Sequence, residues 1–343
     1  MTSEKLSPRE IVNADPRRVY ELYDGWPADA EDALRAEVDL PRKRYDRVVY
    51  LAVGGSATSG DIISDWFLSS GGVPVTVYRG NVPKMNPENT LIIVCSTSGD
   101  TRETLQMAEA MRSNRPDMVA ISSGGKLKEL AEREGIVHVP IKLTKAPRFT
   151  LPYSLFGSVA VLRSASLLGG MQWEVDESLV VLKEIGRRIH RDVPTKHNPA
   201  KQVAVAVNGK IPCVYSAFAS RSVARRFKNS LNENAKVLAT FAAAPDFLHN
   251  EVEMWEKPDG SLKPVFLHRS GDPPTDTRNL AAFGDALKAR GVEPETVHST
   301  GKGNLAQLMS LCYTLDVASY YTAILEGVEP FQIGLIDELK ASR

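Results

Sequence analysis

Short apolar runs, rich in β-branched residues, recur through the first half of the chain and end in glycine or serine. Arg47–Gly54 (RVVYLAVG), Val73–Arg79, Leu91–Ser96, Met118–Ser123 and Val137–Ile141 read as strands. Between them, segments around Asp61–Ser69, Thr101–Arg112 and Lys126–Glu134 carry helical patterning. Strands and helices that alternate in this way predict a parallel sheet covered on both faces. A polar, helical arm precedes the first strand, and Pro152 opens an apolar helix over Tyr153–Leu168. The stretch from Gly169 to Pro199 is more polar, with a charged helical piece at Glu177–Arg191, and marks the boundary.

The second half repeats the style. Gln202–Val207 and Cys213–Ala217 read as strands, then a long helix from Arg221 to Val237. Val265–Arg269, a helix over Asp276–Arg290, the segment Val292–Thr300 and a helix from Leu305 to Leu325 follow. In that last helix Leu305, Leu308, Met309 and Cys312 keep a helical period. The expectation is an α/β protein with two doubly wound domains, each a mostly parallel sheet flanked by helices. Their bounds are an arm at 1–44, a first domain at 45–170, a linker and helix at 171–200, and a second domain with a C-terminal helix at 201–343. No exact internal repeat accompanies this resemblance of halves.

A chain of 343 residues suits two cores, and its 43% hydrophobic and 24% charged content is that of ordinary globular proteins. A formal net charge of zero argues against a nucleic-acid-binding surface. It also means that any anion site must supply its own local positive field. The three cysteines, Cys95, Cys213 and Cys312, are widely spaced and imply neither a disulfide framework nor a zinc site. With no leader-like start and no membrane-length apolar run, a soluble cytoplasmic protein is expected.

Three turns of the first domain are rich in glycine and hydroxyls: GGSATSGD (Gly54–Asp61), CSTSGDTR (Cys95–Arg102) and ISSGGK (Ile121–Lys126). In an open parallel sheet the carboxyl ends of the strands form the ligand-binding edge, so the three would converge there. Glycine lets backbone approach a ligand, hydroxyls donate without adding charge, and helix N-termini favour phosphate. Each turn alone reads more readily as helix capping, and Asp100 with Glu103 fits a capping box. The three together hold more hydroxyls than capping needs. None is a dinucleotide fingerprint, a P-loop or a nucleophile elbow. What remains is a site for a phosphate monoester.

GGS after a strand, with S-x-S-G-x-T before a helix, resembles the sugar isomerase (SIS) domain. APRFTLP (Ala146–Pro152), NENAK (Asn232–Lys236), FLHN (Phe247–Asn250) and IDELK (Ile336–Lys340) resemble, in order and spacing, the bifunctional phosphoglucose/phosphomannose isomerases. The resemblance runs from about Val48 to Lys340. It implies an enzyme that moves a proton between C1 and C2 of glucose 6-phosphate and fructose 6-phosphate through an enediol. It makes Glu233 the base, His249 the ring-opening acid, Arg148 the cation near the enediolate, and Lys340 an assistant at the ring oxygen. Ser56, Ser96, Ser98 and Thr101 become the phosphate donors, with Gly55 beside them. It also implies a homodimer in which His249 is contributed across the interface. No cofactor or metal is implied.

The bland readings are a solvated helix glutamate at Glu233, a loop histidine at His249, a surface arginine at Arg148 and a frayed terminal lysine at Lys340. The apolar spacing Ile333, Ile336, Leu339 favours a docked C-terminal helix instead. Three departures from the family pattern stand out. Ala57 and Thr58 alter the first loop. Asp100 replaces an asparagine beside the proposed phosphate and is expected to turn away as a helix cap. Ile333 replaces a threonine associated with the mannose epimer. Two alternatives stay open: an isomerase of another phosphosugar, and a non-catalytic sugar-phosphate-binding regulatory protein.

Overall fold

The computed structural model describes residues 6–41, 43–82, 85–112, 117–258 and 260–342. Three short helices open the chain: α1 (Pro8–Ala14), α2 (Val19–Asp24) and α3 (Trp26–Leu34). The first sheet follows with its helices: β1 (Arg47–Leu51), α4 (Gly54–Ser70), β2 (Val75–Tyr78), β3 (Thr90–Cys95), α5 (Arg102–Arg112), β4 (Asp117–Ser122), α6 (Gly125–Glu134), β5 (Val137–Pro140) and α7 (Leu151–Ser164). Next come α8 (Gln172–Ile189), α9 (Pro199–Val207), β6 (Ile211–Ser216), α10 (Arg221–Ser230) and β7 (Thr240–Ala243). The chain ends with β8 (Leu262–His268), α11 (Pro274–Ala289), β9 (Glu295–His298), α12 (Asn304–Glu326) and α13 (Gly334–Ala341). It packs as two compact units, one of Gly25–Leu179 with Gly303–Leu305, the other of Met1–Asp24, Val180–Lys302 and Ala306–Arg343.

The five-stranded sheet of the first unit has the order β2-β1-β3-β4-β5, and every pairing is parallel. Leu51 pairs with Val94 and Val94 with Ala120, so β1, β3 and β4 end level with one another. The three hydroxyl-rich segments therefore leave from adjacent strands at one edge. The order reverses between β1 and β3, which is where open α/β sheets place their ligands. The core beneath is apolar, with Val49, Leu51, Ile92, Val94 and Ala120 packed against Met107, Met111, Leu127 and Leu130. On the other face α7 is buried from Leu151 to Leu162, as its all-round apolar sequence requires.

The second unit carries a four-stranded parallel sheet of order β7-β6-β8-β9. That is the strand order of the first four strands of the other sheet, so the two halves share a topology. Tyr215, Phe247, Phe266 and Phe283 form its aromatic core, with Tyr215 edge-on to Phe283 at 5.1 Å.

Several elements differ from the sequence expectation. GGSATSG is not a turn but the first two turns of α4, which starts at Gly54. Gln202–Val207 is helical: Asn198 caps α9 by accepting the Lys201 N–H at 3.0 Å, Pro199 fills the first turn, and Ala200, Val203, Ala204 and Val207 are buried at helical spacing. The alternation in VAVAV had imitated a strand. β7 is short and half-exposed, so no apolar run announced it. No helix among the described residues is long and apolar enough to cross a membrane.

Candidate functional site

In the first unit the candidate phosphate donors do come together. Ser56 lies in the first turn of α4, and its Oγ accepts the Thr97 N–H at 3.2 Å and shares a hydrogen bond with Thr97 Oγ1 at 3.1 Å. Ser96 Oγ donates to Thr101 Oγ1 at 3.0 Å and accepts the Gly99 N–H at 3.2 Å. Ser98 Oγ accepts the Asp100 N–H at 3.3 Å. The loop from Ser96 to Thr101 thus folds on its own hydroxyls and is tied to α4 through Thr97. Thr97 did not stand out in the sequence, because a threonine at a strand end is ordinary; its partner at Ser56 is set only by sheet order. Gly55 is half-buried beside Ser56.

Gly99 is needed twice over. Its φ is +80°, and a Cβ there would stand 1.8 Å from the Gly124 carbonyl oxygen. The two loops after β3 and β4 touch backbone to backbone, with Leu127 donating its N–H to the Gly99 carbonyl at 2.9 Å. Below them Ser59 and Ser154 share a hydrogen bond at 2.7 Å, and Tyr50 OH and Ser158 another at 2.9 Å, fixing α4 and β1 to α7. Burial pushes the Cys95 thiol up to about 11, which keeps it protonated and unreactive under this floor.

The Asp100 carboxylate does turn to a helix N-terminus, but not that of its own helix. Its Oδ1 accepts the Lys126 N–H at 3.0 Å, so it caps α6, the helix after the next strand. α6 has no cap of its own, since Gly124 precedes it. Arg148 lies in a buried one-turn helix, Pro147–Thr150, that packs on α4, with its guanidinium 4.5 Å from the Phe149 ring centroid.

In the second unit α10 does not run on as an α-helix. Its last turn, Leu231–Ala235, is a π turn, closed by backbone N–H groups of Lys236 and Val237 on the Leu231 carbonyl. Such turns recur at functional sites because they re-aim side chains. Asn234 points inward, with Nδ2 donating to Tyr23 OH at 2.9 Å and to Ser319 Oγ at 2.8 Å. Glu233 is left half-buried. Because α10 runs back along β6 and the chain enters β7 five residues beyond the turn, Glu233 lies at the amino edge of its own sheet. The helix is anchored beneath by a buried ion pair: Arg226 donates to both oxygens of Asp316, at 2.7 Å from Nη2, and Ser230 Oγ donates to the same carboxylate at 2.8 Å. Removing one partner of such a pair costs about 3–5 kcal/mol, because the other charge is then left buried without compensation.

His249 ends a short turn, Asp246–His249, after β7, and is exposed. Lys340 falls within α13, but its side chain lies outside the described residues. The apolar stripe expected to dock this helix is only partly covered within the chain: Ile333 is half-buried, but Ile336 is 39% exposed and Leu339 51%. The helix is instead approached through the segment before it, where Lys236 Nζ donates to the Gln332 carbonyl at 2.6 Å. Among the described residues no group of three or more His, Cys, Asp or Glu side chains is arranged to hold a metal.

A parallel sheet with hydroxyl-rich loops at its switch point, followed by a second sheet of the same order, defines a doubly wound α/β protein of two like units, the fold shared with solved phosphosugar isomerases. Residues 196–342 match the family described as the bacterial phospho-glucose isomerase C-terminal SIS domain. The bifunctional phosphoglucose/phosphomannose isomerase of Caldicellulosiruptor bescii is 30% identical over 94% of this chain and 96% of its own length. The D-glucosamine-6-phosphate 4-epimerase of Sulfolobus acidocaldarius is 29% identical over 70% of this chain and 74% of its own. The glucose-6-phosphate isomerase-like protein of Thermus thermophilus shares the fold, with a TM-score of 0.62 and 21% identity over 98% of both chains. The chain belongs to the bifunctional phosphoglucose/phosphomannose isomerase family, a family of sugar-phosphate isomerases.

Proposed function

We propose that this protein interconverts glucose 6-phosphate and fructose 6-phosphate, with acceptance of mannose 6-phosphate turning on Ile333. The observation that carries the reading is the cradle of Ser56, Ser96, Thr97, Ser98 and Thr101 at the switch point of the first sheet. It offers neutral donors and backbone N–H groups to a phosphate. In this reading His249 donates a proton to the ring oxygen as the hemiacetal opens. Glu233 then removes the C2 proton of the aldose and returns it to C1. The C1 carbonyl oxygen gains a proton and the C2 hydroxyl loses one, so the enediol collapses to the ketose with no net change in protons. Arg148 balances the negative charge of the enediolate, and Lys340 assists at the ring oxygen. General acid–base help supplies roughly 10²–10⁴-fold, while fixing the reacting atoms in place can supply up to about 7–11 kcal/mol.

His249 is exposed on a turn outside its own sheet, which supports a homodimer in which each chain lends this histidine to the other. A second reading changes the sugar. The relative named as a glucosamine-6-phosphate epimerase supports an aminosugar phosphate as the alternative.

The test is to follow fructose 6-phosphate with separate detection of glucose 6-phosphate and mannose 6-phosphate, in the native protein and in Glu233→Gln. Turnover in the native protein and none in the variant, with binding of the phosphosugar retained, is the expected result. Binding without turnover by the native protein would turn the reading into a sensor, and full activity in Glu233→Gln would remove the base from the mechanism.

A further inference from the structure

Lys236 closes the π turn with a φ of +57°, a left-handed conformation in which helices usually place glycine. A long side chain is the costlier choice there, so its other end should explain it. That end is an ammonium surrounded by main-chain carbonyls. Nζ donates to Glu233 O at 2.9 Å and to Gln332 O at 2.6 Å, with Glu329 O at 3.2 Å and Asn234 O at 3.3 Å. Two of these carbonyls belong to the turn that bears Glu233 and two to the segment that leads into α13.

Both sides are prepared for the cation. The carbonyls of Glu233 and Asn234 lie at a helix end, where the last turn supplies no intrahelical donors and the dipole favours positive charge. On the other side the Glu329 carboxylate accepts the Phe331 N–H at 2.9 Å and the Gln332 N–H at 3.0 Å. This folds 329–332 into a turn whose Glu329 and Gln332 carbonyls face Nζ. The apolar stripe of α13 is mostly exposed, so its start is held through the segment before it, by the Lys236 tether together with the buried Pro330 and with Phe331, whose ring lies 4.8 Å from the Arg17 guanidinium.

We infer that Lys236 is a positioning residue that ties the segment before α13 to the Glu233 turn, and so sets the base and the terminal helix with respect to one another. The catalytic part of this inference rests on the isomerase reading above; the tether itself does not.

The test compares Lys236→Met, Lys236→Gly and Lys236→Arg in the full chain by amide hydrogen exchange and by steady-state kinetics. In Lys236→Met, exchange of 231–236 and 327–341 rises about tenfold or more, the worth of one charge-assisted hydrogen bond, with other segments unchanged. The kcat falls by a comparable factor while KM for the sugar phosphate holds, because the phosphate donors are elsewhere. Lys236→Gly relieves the backbone yet behaves like Lys236→Met, and Lys236→Arg restores both readouts in part. Glu329→Ala, which dismantles the acceptor turn without touching α10, gives the same exchange pattern and serves if Lys236→Met does not fold. Native-like exchange at 327–341 in Lys236→Gly or Glu329→Ala overturns the tether. Raised exchange with kcat intact overturns the positioning role. An inactive native protein with the exchange pattern as stated would refute the isomerase reading and leave the tether standing.

Discussion

The carboxylate of Asp100 accepts the backbone N–H of Lys126 at 3.0 Å, bridging the loop after β3 to the helix after β4. One acidic side chain in the proposed phosphate loop is thereby spent on an uncapped helix. Asn would keep the acceptor and remove the charge. Asp100→Asn is expected to lower KM for a sugar phosphate roughly two- to fivefold at low salt, the range of an exposed charge pair. The gain should shrink as salt rises. Asp100→Ala loses the cap as well, at about 1 kcal/mol of stability. An unchanged KM for Asp100→Asn in dilute buffer would show that the charge does not reach the ligand.

Gly99 meets Gly124 with no room for a side chain. Gly99→Ala must move one loop or the other, because the nearest atom is backbone. We expect a loss of about 1–3 kcal/mol in chemical denaturation, the usual cost of overpacking combined with a strained φ. KM should rise far more than kcat falls, since the phosphate loop is displaced and the Glu233 turn is not. Equal losses in both parameters would place Gly99 outside the phosphate grip.

Lys201 is buried, and its ammonium donates to the carbonyls of Leu6 at 2.9 Å, Arg191 at 2.6 Å and Val193 at 3.0 Å. Burial lowers its pKa from 10.5 to about 8. Between these values the unfolded chain binds more protons than the folded one, so this group's contribution to stability rises with pH from about 8 to 10.5. Buried thiols such as Cys95, held up to about 11, act in the opposite sense above 9, so the effect is read as a difference. The native protein minus Lys201→Met, measured by urea denaturation at several pH values, should show the positive slope. A difference that stays flat through this window would mean that the carbonyls compensate for burial.

Ile333 stands immediately before α13, and its carbonyl accepts the N–H groups of Ile336 at 2.9 Å and Asp337 at 3.1 Å. That is a capping position occupied by a side chain that cannot cap. Ile333→Thr supplies the hydroxyl, adding about 1 kcal/mol to the local stability of the helix start. By the family resemblance it should also raise the proportion of mannose 6-phosphate formed from fructose 6-phosphate. A slower exchange of the first turn of α13 with an unchanged product ratio would separate capping from epimer choice.

The strands of the first sheet were legible because short continuous apolar runs have few other uses in a globular fold, and their order brought the hydroxyl loops to one edge. Local signals misled where two periods coincide. Ala204, Val205 and Ala206 alternate like a strand while Val203 and Val207 keep the helical face. The π turn was not legible, because it depends on Asn234 finding Tyr23 and Ser319, far away in sequence. For the same reason the destination of Asp100 could be framed but not resolved: its neighbour Glu103 offered a local partner, and the actual one lies on another helix. Glu233 and His249 stood out only through family motifs, since nothing in their local composition distinguishes them from surface residues.

The second unit is assembled from three stretches of chain, and this sets an order of events at the ribosome. Asp15 accepts a hydrogen bond from Tyr320 at 2.9 Å, and Tyr313 donates to the Tyr23 carbonyl at 2.6 Å. At about 5–20 residues per second, the partners of α1 and α2 emerge on the order of tens of seconds after them. The unit beginning at Gly25 has most of its chain available much sooner. The first helices therefore complete these contacts only after α12 has emerged, and until then a nascent chain of this protein offers them to chaperones.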